Sequence, residues 1–258
     1  MKIIGDFHTH SQYSHGRGDL RANVEAAVAR GFRQLAITDH GPRTFNFIRL
    51  GVKRPEQLLD IKKEIENLNY EYSEIDILAG VEANIVNSQG ELDVPDNILA
   101  ELDLAAAGLH LLLLPPDINS AREIIFNNRI LYKYFPEKRM NIRKTNTQAV
   151  INAVKKHRLD FITHPGYKLD IDTYSLASVC AANNTALEIN ARHGSLTEGF
   201  VKAASQTEVK FVINSDAHSP EQVGKIGPGL EIVKKLKIAP ERIINYYGFN
   251  RKAGKYER

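Results

Sequence analysis

Seven short apolar runs, each followed by an amphipathic stretch, constrain the fold of this chain more than any other feature. The runs are Lys2 to Phe7, Gln34 to Thr38, Ile75 to Val81, Leu102 to Leu109, Asp160 to Thr163, Ala186 to Ile189 and Val209 to Asn214. Between them, Leu20 to Arg30, Pro55 to Tyr70, Thr145 to His157, Thr173 to Ala182, Leu196 to Gln206 and Gly229 to Lys237 carry apolar residues at helical spacing. Strand followed by helix, repeated, predicts a parallel sheet joined by right-handed crossovers. Seven such units in 258 residues favour closure into a (β/α)7 TIM-like barrel of the α/β class over an open sheet, with residues 1–258 as one domain. One stretch breaks the rhythm: residues 115–144 hold Pro115, Pro116 and Pro136 and end in Lys138, Arg139, Arg143 and Lys144. So long a structureless segment would be unusual inside a compact domain, so a helical insertion near the active-site face is expected there.

The nine histidines are not scattered over this pattern. His8 and His10 close the first strand, Asp39 and His40 the second, Glu82 the third, His110 the fourth, His164 the fifth, and Asp216 and His218 the seventh. In a parallel barrel the carboxyl ends of the strands converge on one face, where loops are free to carry chemistry. Residues two apart on a strand point the same way, so His8-Thr9-His10 offers two imidazoles to one point and Asp216-Ala217-His218 a carboxylate and an imidazole. Imidazoles with a few carboxylates and no thiolate suit zinc, manganese or iron. His15, in the Gly-rich loop Ser14 to Gly18, joins the set by proximity. His157 ends a helical stretch, where a cation favours the C-terminal dipole, and reads as structural. Cys180 falls in an apolar helical stripe and reads as core, and His193 follows the sixth strand without a defined role. Asp6 is either a partner that holds a ligand imidazole or a simple polar strand residue.

Composition narrows the function classes. With 43% hydrophobic and 25% charged residues the chain is neither fibrous nor disordered. A net charge of +3, from 34 basic and 31 acidic groups, supplies no strong field for nucleic acid or anionic lipid, so any anion preference must be local. The longest apolar run, Leu104 to Leu114, contains His110 and falls well short of the roughly 18 residues that suggest a membrane span. A single cysteine permits no internal disulfide and Met1 to Ser11 has no leader pattern, which together point to the cytoplasm.

The same residues carry a family resemblance. Asp6-Phe-His-Thr-His10, Ala36-Ile-Thr-Asp-His-Gly-Pro42, Gly80-Val-Glu-Ala-Asn-Ile85, Thr163-His-Pro-Gly166, Leu187-Glu-Ile-Asn190 and Asn214-Ser-Asp-Ala-His218 resemble the motifs of the PHP (polymerase and histidinol phosphatase) superfamily. Within it they look most like the small bacterial phosphatases of the YcdX type. The resemblance implies the PHP fold, a distorted seven-stranded barrel, and three divalent metal ions, zinc first and manganese or iron by the same chemistry. By that resemblance His8, His10, Glu82 and Asp216 would hold the first ion, with Glu82 bridging to a second bound by His110 and His164. His15, His40 and His218 would hold the third. The segment Leu92 to Asp103 also resembles the PHP domain attached to some bacterial family X DNA polymerases. The long stretch between His110 and Thr145 departs from the family pattern, so a relative's substrate choice does not carry over.

Clustered divalent ions on an open face perform hydrolysis, because they acidify bound water and clamp the oxygens of a phosphoryl group. Three such ions less Glu82 and Asp216 leave about +4, which favours a phosphate dianion over a neutral substrate. The expected activity is therefore hydrolysis of a small phosphomonoester by a metal-bridging hydroxide, with no side-chain nucleophile. Arg17, Arg43 and Arg192 are the candidates for gripping phosphate oxygens. Histidinol-phosphate phosphatase is one alternative. A 3′-5′ exonuclease or nucleotide phosphodiesterase steered by Lys138 to Lys144 is another. An amidohydrolase-type enzyme would bridge its metals with a modified lysine, where this chain has Glu82. Against an inactive metal-binding module stands the complete ligand set.

Overall fold

The computed structural model describes residues 2–44, 50–193, 195–247, 249–250 and 255–256. Seven parallel strands, β1 Gly5–Asp6, β2 Gln34–Ile37, β3 Asp76–Asn84, β4 Leu104–Gly108, β5 Phe161–Ile162, β6 Ala186–Asn190 and β7 Phe211–Asn214, pair in chain order. Each strand expected from the sequence is present, with β1 and β5 reduced to two laddered residues. Helices Leu20–Ala29, Gln57–Glu71, Arg139–Lys156, Thr173–Ala182, Ser195–Ala204 and Gly227–Lys235 fill connections around the sheet. Asp19 and Asp172 open two of them by accepting the amide hydrogens of Ala22 and Ser175. The third starts earlier than its apolar spacing suggested, so Arg139, Arg143 and Lys144 lie on its first turns. The preceding residues form the short helix Ile118–Ser120, the wide-turned π-helix Ala121–Leu131 and a 3-10 turn at Pro136–Lys138. Among the described residues no helix is long and apolar enough to cross a membrane.

Between β1 and β7 the ladder gives way to side chains. Near the mouth the backbones of Thr9 and Ala217 still bridge. Below that, the Asn214 carboxamide oxygen accepts the Phe7 amide at 2.9 Å, and Asp6 accepts from the Ser215 amide, the Ser215 hydroxyl and the Gly224 amide. Asp6 therefore ties the seam of the barrel and, among the described residues, makes no hydrogen bond to an imidazole. At the lower end Asn245 acts as a surrogate strand: its side chain accepts from Ile213 at 3.1 Å and donates to the carbonyls of Gly5 and Ile213 at 2.9 and 2.6 Å.

Strand parity places the core and the site in one stack. Ala36, Leu78, Ala106, Phe161, Ala186 and Val212 fill a buried apolar cluster with Phe7 and Leu104. On β3 the period of two that includes Leu78 also includes Glu82, and on β6 the period that includes Ala186 includes Glu188. Polar groups thus share the face of the apolar plug, one layer nearer the carboxyl ends. A second, larger cluster packs the outer strand faces against the helices and includes Cys180, which is fully buried. His157, just past its helix, bonds Asp96 at 2.6 Å and the Gly90 carbonyl at 3.2 Å and so ties the helix end to neighbouring segments, in keeping with its structural reading.

Replacing Asn245 by Ala removes three buried side-chain hydrogen bonds and strands the backbone groups they served. Urea unfolding is expected to show a loss of roughly 2–4 kcal/mol. A change within about 0.5 kcal/mol, the range of neutral surface substitutions, would show that the seam does not depend on this side chain.

Candidate metal centre

Glu82 is fully buried at the centre of the carboxyl-end face. One carboxylate oxygen lies 3.1 Å from His8 Nε2, 2.9 Å from His40 Nδ1 and 3.6 Å from His10 Nε2. The other lies 3.2 Å from His110 Nε2 and 2.9 Å from His164 Nε2. Asp216 stands on the opposite side, its Oδ1 at 3.4 Å from His10 Nε2 and 3.4 Å from His218 Nδ1. His15 completes the group, its ring 4.2 Å from that of His218 and 5.1 Å from that of His40. All nine sequence candidates, His8, His10, His15, His40, Glu82, His110, His164, Asp216 and His218, meet here.

Rings are aimed by oxygen acceptors behind them. His8 Nδ1 donates to Glu188 at 2.6 Å, His110 Nδ1 to Asn84 Oδ1 at 2.8 Å, His15 Nδ1 to the Leu50 carbonyl at 3.1 Å and His218 Nδ1 to the Asp216 carbonyl at 2.8 Å. Such an acceptor fixes the tautomer and turns the Nε2 lone pair forward. Glu188, itself fully buried, also accepts from the Asn190 and Asn214 amides and the His164 backbone. Asp93 holds Asn84 in turn, at 2.7 Å. Asp39 plays a similar part beneath the first loop by accepting from Ser11 and Ser14.

The forward nitrogens face one another. His8 Nε2 and His10 Nε2 are 3.2 Å apart, and His110 Nε2 and His164 Nε2 are 3.4 Å apart. Both oxygens of Glu82, with His10 Nδ1 and His40 Nδ1, are buried without a partner in hydrogen-bond geometry. Buried donors and acceptors are normally satisfied, and a cluster of lone pairs turned inward calls for cations between them. Four sets of three side chains have donor atoms close enough to share one ion: His8, His10 and Glu82; His10, His15 and His40; His40, Glu82 and His110; and His10, Asp216 and His218. The donor set fits divalent metal ions.

Electrostatics agree. Burial would raise the Glu82 carboxyl, but His40, His8 and His110 hold it well below the usual range. Burial would likewise raise Asp216, and His8 with hydrogen bonds from His10 and His193 lowers it well below normal. Burial brings His15 and His218 down to about 4, and drives His10 well below its ordinary value, so these rings are free bases at neutral pH. For His8 the same burial is outweighed by Glu188, Glu82 and Asp216, which raise it well above its ordinary value. Glu82, with Glu188 and Asp216, likewise outweighs burial at His164 and raises it, so in the bare protein protonated imidazole supplies part of the positive charge that a metal ion would supply.

A cavity of about 480 Å³ opens over the cluster, lined by His40, His110, Leu112, Lys168, Arg192 and His218 among others. Of the three arginines singled out in the sequence, Arg192 reaches the site: it contacts the His218 ring and lies 3.9 Å from Asp216. Arg17 and Arg43 are exposed and lie outside the lining. His193, undefined in the sequence, sits 3.3 Å from Asp216 and stacks on Tyr167 at 3.6 Å between ring centroids. Glu188 was given no role in the sequence, where it stands in the motif Leu187-Glu-Ile-Asn190 as a lone carboxylate inside the buried run Ala186–Asn190.

A parallel barrel that gathers imidazoles and carboxylates at the carboxyl ends of its strands defines a barrel protein with a metal-type centre. This chain belongs to the PHP domain family, whose model matches residues 6–215. It is 30% identical over 256 residues to a probable phosphatase of Thermoanaerobacter sp. (strain X514), covering 95% of this chain and 91% of that protein. It is 33% identical to the DNA polymerase/3′-5′ exonuclease PolX of Bacillus subtilis (strain 168), covering 95% of this chain and 39% of that longer protein. In fold it is similar to histidinol phosphate phosphatase from Lactococcus lactis, solved with zinc, L-histidinol and phosphate. The TM-score is 0.67 at 19% identity, over 92% of this chain and 95% of that one.

Replacing Glu188 by Gln keeps the shape and removes the anionic acceptor behind His8. Calorimetric titration of the metal-free protein with zinc or manganese is expected to show an affinity about 10–100-fold weaker, with the fold retained. Unchanged affinity would mean that Glu188 does not support the cluster.

Proposed function

We propose that this protein is a metal-dependent phosphoric ester hydrolase whose substrate is a small cytoplasmic phosphomonoester. The observation that carries the reading is the Glu82 carboxylate: fully buried, unpartnered by hydrogen bonds at both oxygens, and within 3.6 Å of five imidazoles. Phosphatase names among relatives matched over nearly their whole length support it. In this reading His8, His10, Glu82, Asp216, His110, His164, His15, His40 and His218 hold three divalent ions, zinc in first place. When bound, such ions activate water and neutralise charge on the phosphoryl oxygens.

The chain's own residues supply the rest. Glu188, Asn84 and the Leu50 carbonyl orient the rings, and the apolar plug beneath Glu82 keeps water from the rear of the cluster. Arg192 is placed to grip a phosphate oxygen at the cavity wall, with Arg17 and Arg43 available on neighbouring exposed loops. Residues 1–258 act as one unit in which 115–144 shapes the approach: Tyr132 bonds Asp170 at 3.0 Å and lines the cavity beside His164 and Tyr167.

A second reading has one observation in its favour. Residues 115–144 contain seven basic and three acidic side chains, a net +4 against +3 for the whole chain. That local excess suits a 3′-5′ exonuclease acting on a nucleic-acid end. Histidinol phosphate remains a specific candidate within the monoester reading.

Phosphate release from a broad monoester panel that includes histidinol phosphate, beside a dinucleotide and a DNA oligomer, separates these readings. Metal-replete protein is expected to act on monoesters, to stop with chelator and to recover with manganese or zinc. Asp216→Asn is expected to stay folded and lose at least about 100-fold in rate, beyond the loss from an outer partner. Cleavage of diesters alone would select the nuclease, and no hydrolysis at all would overturn both.

A further inference from the structure

Behind Arg192 lies a second cavity, of about 510 Å³, walled by Ala191 and Pro228 and lined by Arg192, Ser215, Gln222 and Lys225. It is separate from the cavity over the cluster, and Arg192 belongs to both linings. The partition between them is thin. Gln222 Oε1 accepts the His218 amide hydrogen at 2.8 Å, and Arg192 lies against the His218 ring. No carboxylate lines this second cavity among the described residues, whereas the cluster cavity contains Glu82 and Asp216, and the cavity beside Tyr167 contains Asp170 and Glu188.

The polar groups there are biased toward donors. Gln222 commits its oxygen to His218, which leaves its two Nε2 hydrogens as the unspent part of that amide. Arg192 carries five donors in a fixed fork, of which those on one terminal nitrogen face His218 and Asp216. Lys225 is exposed at the rim, and the charge it feels comes from Glu221, an exposed residue outside the lining. Two cations and two amide donors line the cavity, the nearby acids Asp216, 3.9 Å from Arg192, and Glu221, beside Lys225, stand outside the lining, and this excess of donors suits a dianion.

We propose that this cavity receives a second phosphate group of the substrate, so that the preferred substrates are small bisphosphorylated molecules. One phosphate lies over the cluster and the other beyond Arg192, with Arg192 between them. The proposal rests on the phosphatase reading and narrows its substrate class. Lys225 is a specificity-determining residue that binds the phosphate that is not cleaved.

Steady-state hydrolysis of α,ω-alkanediol bisphosphates of increasing chain length, beside the corresponding monophosphates, tests it with the metal-replete full chain. At the length that spans both cavities, the bisphosphate is expected to have a lower KM than its monophosphate by roughly tenfold or more. Lys225→Glu is expected to erase that ratio, through KM and not kcat, and Lys225→Arg to restore it. Monophosphate turnover with no bisphosphate advantage at any length overturns the second-phosphate pocket and leaves the phosphatase reading standing. A Lys225→Glu effect equal on both substrate classes also overturns it. Failure to release phosphate from either class overturns the phosphatase reading and this proposal with it.

Discussion

A fully buried carboxylate pressed upon by five imidazoles holds together only if positive charge sits among them. At Glu82 some of that charge comes from His8 in the bare protein, which Glu188 and Glu82 hold protonated against the cost of burial. His10, His15 and His218 have no such remedy, because burial strips them of their protons. Divalent ions would satisfy both the lone pairs and the carboxylates, and the features of the upper barrel follow from making room for them.

That requirement explains how the layers are divided. Rings must be aimed to within a few tenths of an ångström, and no strand can do this with backbone alone. The chain adds a row of acceptors, Glu188, Asn84, the Leu50 carbonyl and the Asp216 carbonyl, each behind a different ring. These acceptors need anchoring themselves, and Asp93, Asn190 and Asn214 provide it. Polar density at the mouth is balanced by the apolar plug of Phe7, Leu78 and Phe161 below. The barrel's weakest join, between β1 and β7, lies beside His8 and Asp216, and Asp6, Asn214 and Asn245 close it with hydrogen bonds that a continuous ladder would otherwise supply.

Much of this was legible in the sequence because the periodicities are strong. Strands β2, β3, β4, β6 and β7 announce themselves as apolar runs, and ligand-type residues recur where each run ends. Pairwise detail was less visible. Asp6 looks like a possible partner for an imidazole, yet its oxygens go to Ser215 and Gly224, more than two hundred positions away in the chain. Glu188 reads as one polar residue in a buried strand, and nothing local says that His8 lies across the barrel from it. The start of helix Arg139–Lys156 was hidden because its first turns are basic and polar, so apolar spacing begins only at the turn that packs. Arginines are the least readable of all: Arg17, Arg43 and Arg192 follow similar strand ends, and loop geometry alone turns Arg192 inward.

The central claim is that the cluster around Glu82 is a metal centre. Metal content per chain, measured by plasma emission spectroscopy after dialysis against trace zinc or manganese, tests it most directly when wild type and Glu82→Ala are compared. The account predicts more than one divalent ion per wild-type chain and a clear loss of metal in the variant with the fold intact. A folded wild-type protein that retains no metal, or a variant that keeps the full complement, would contradict it.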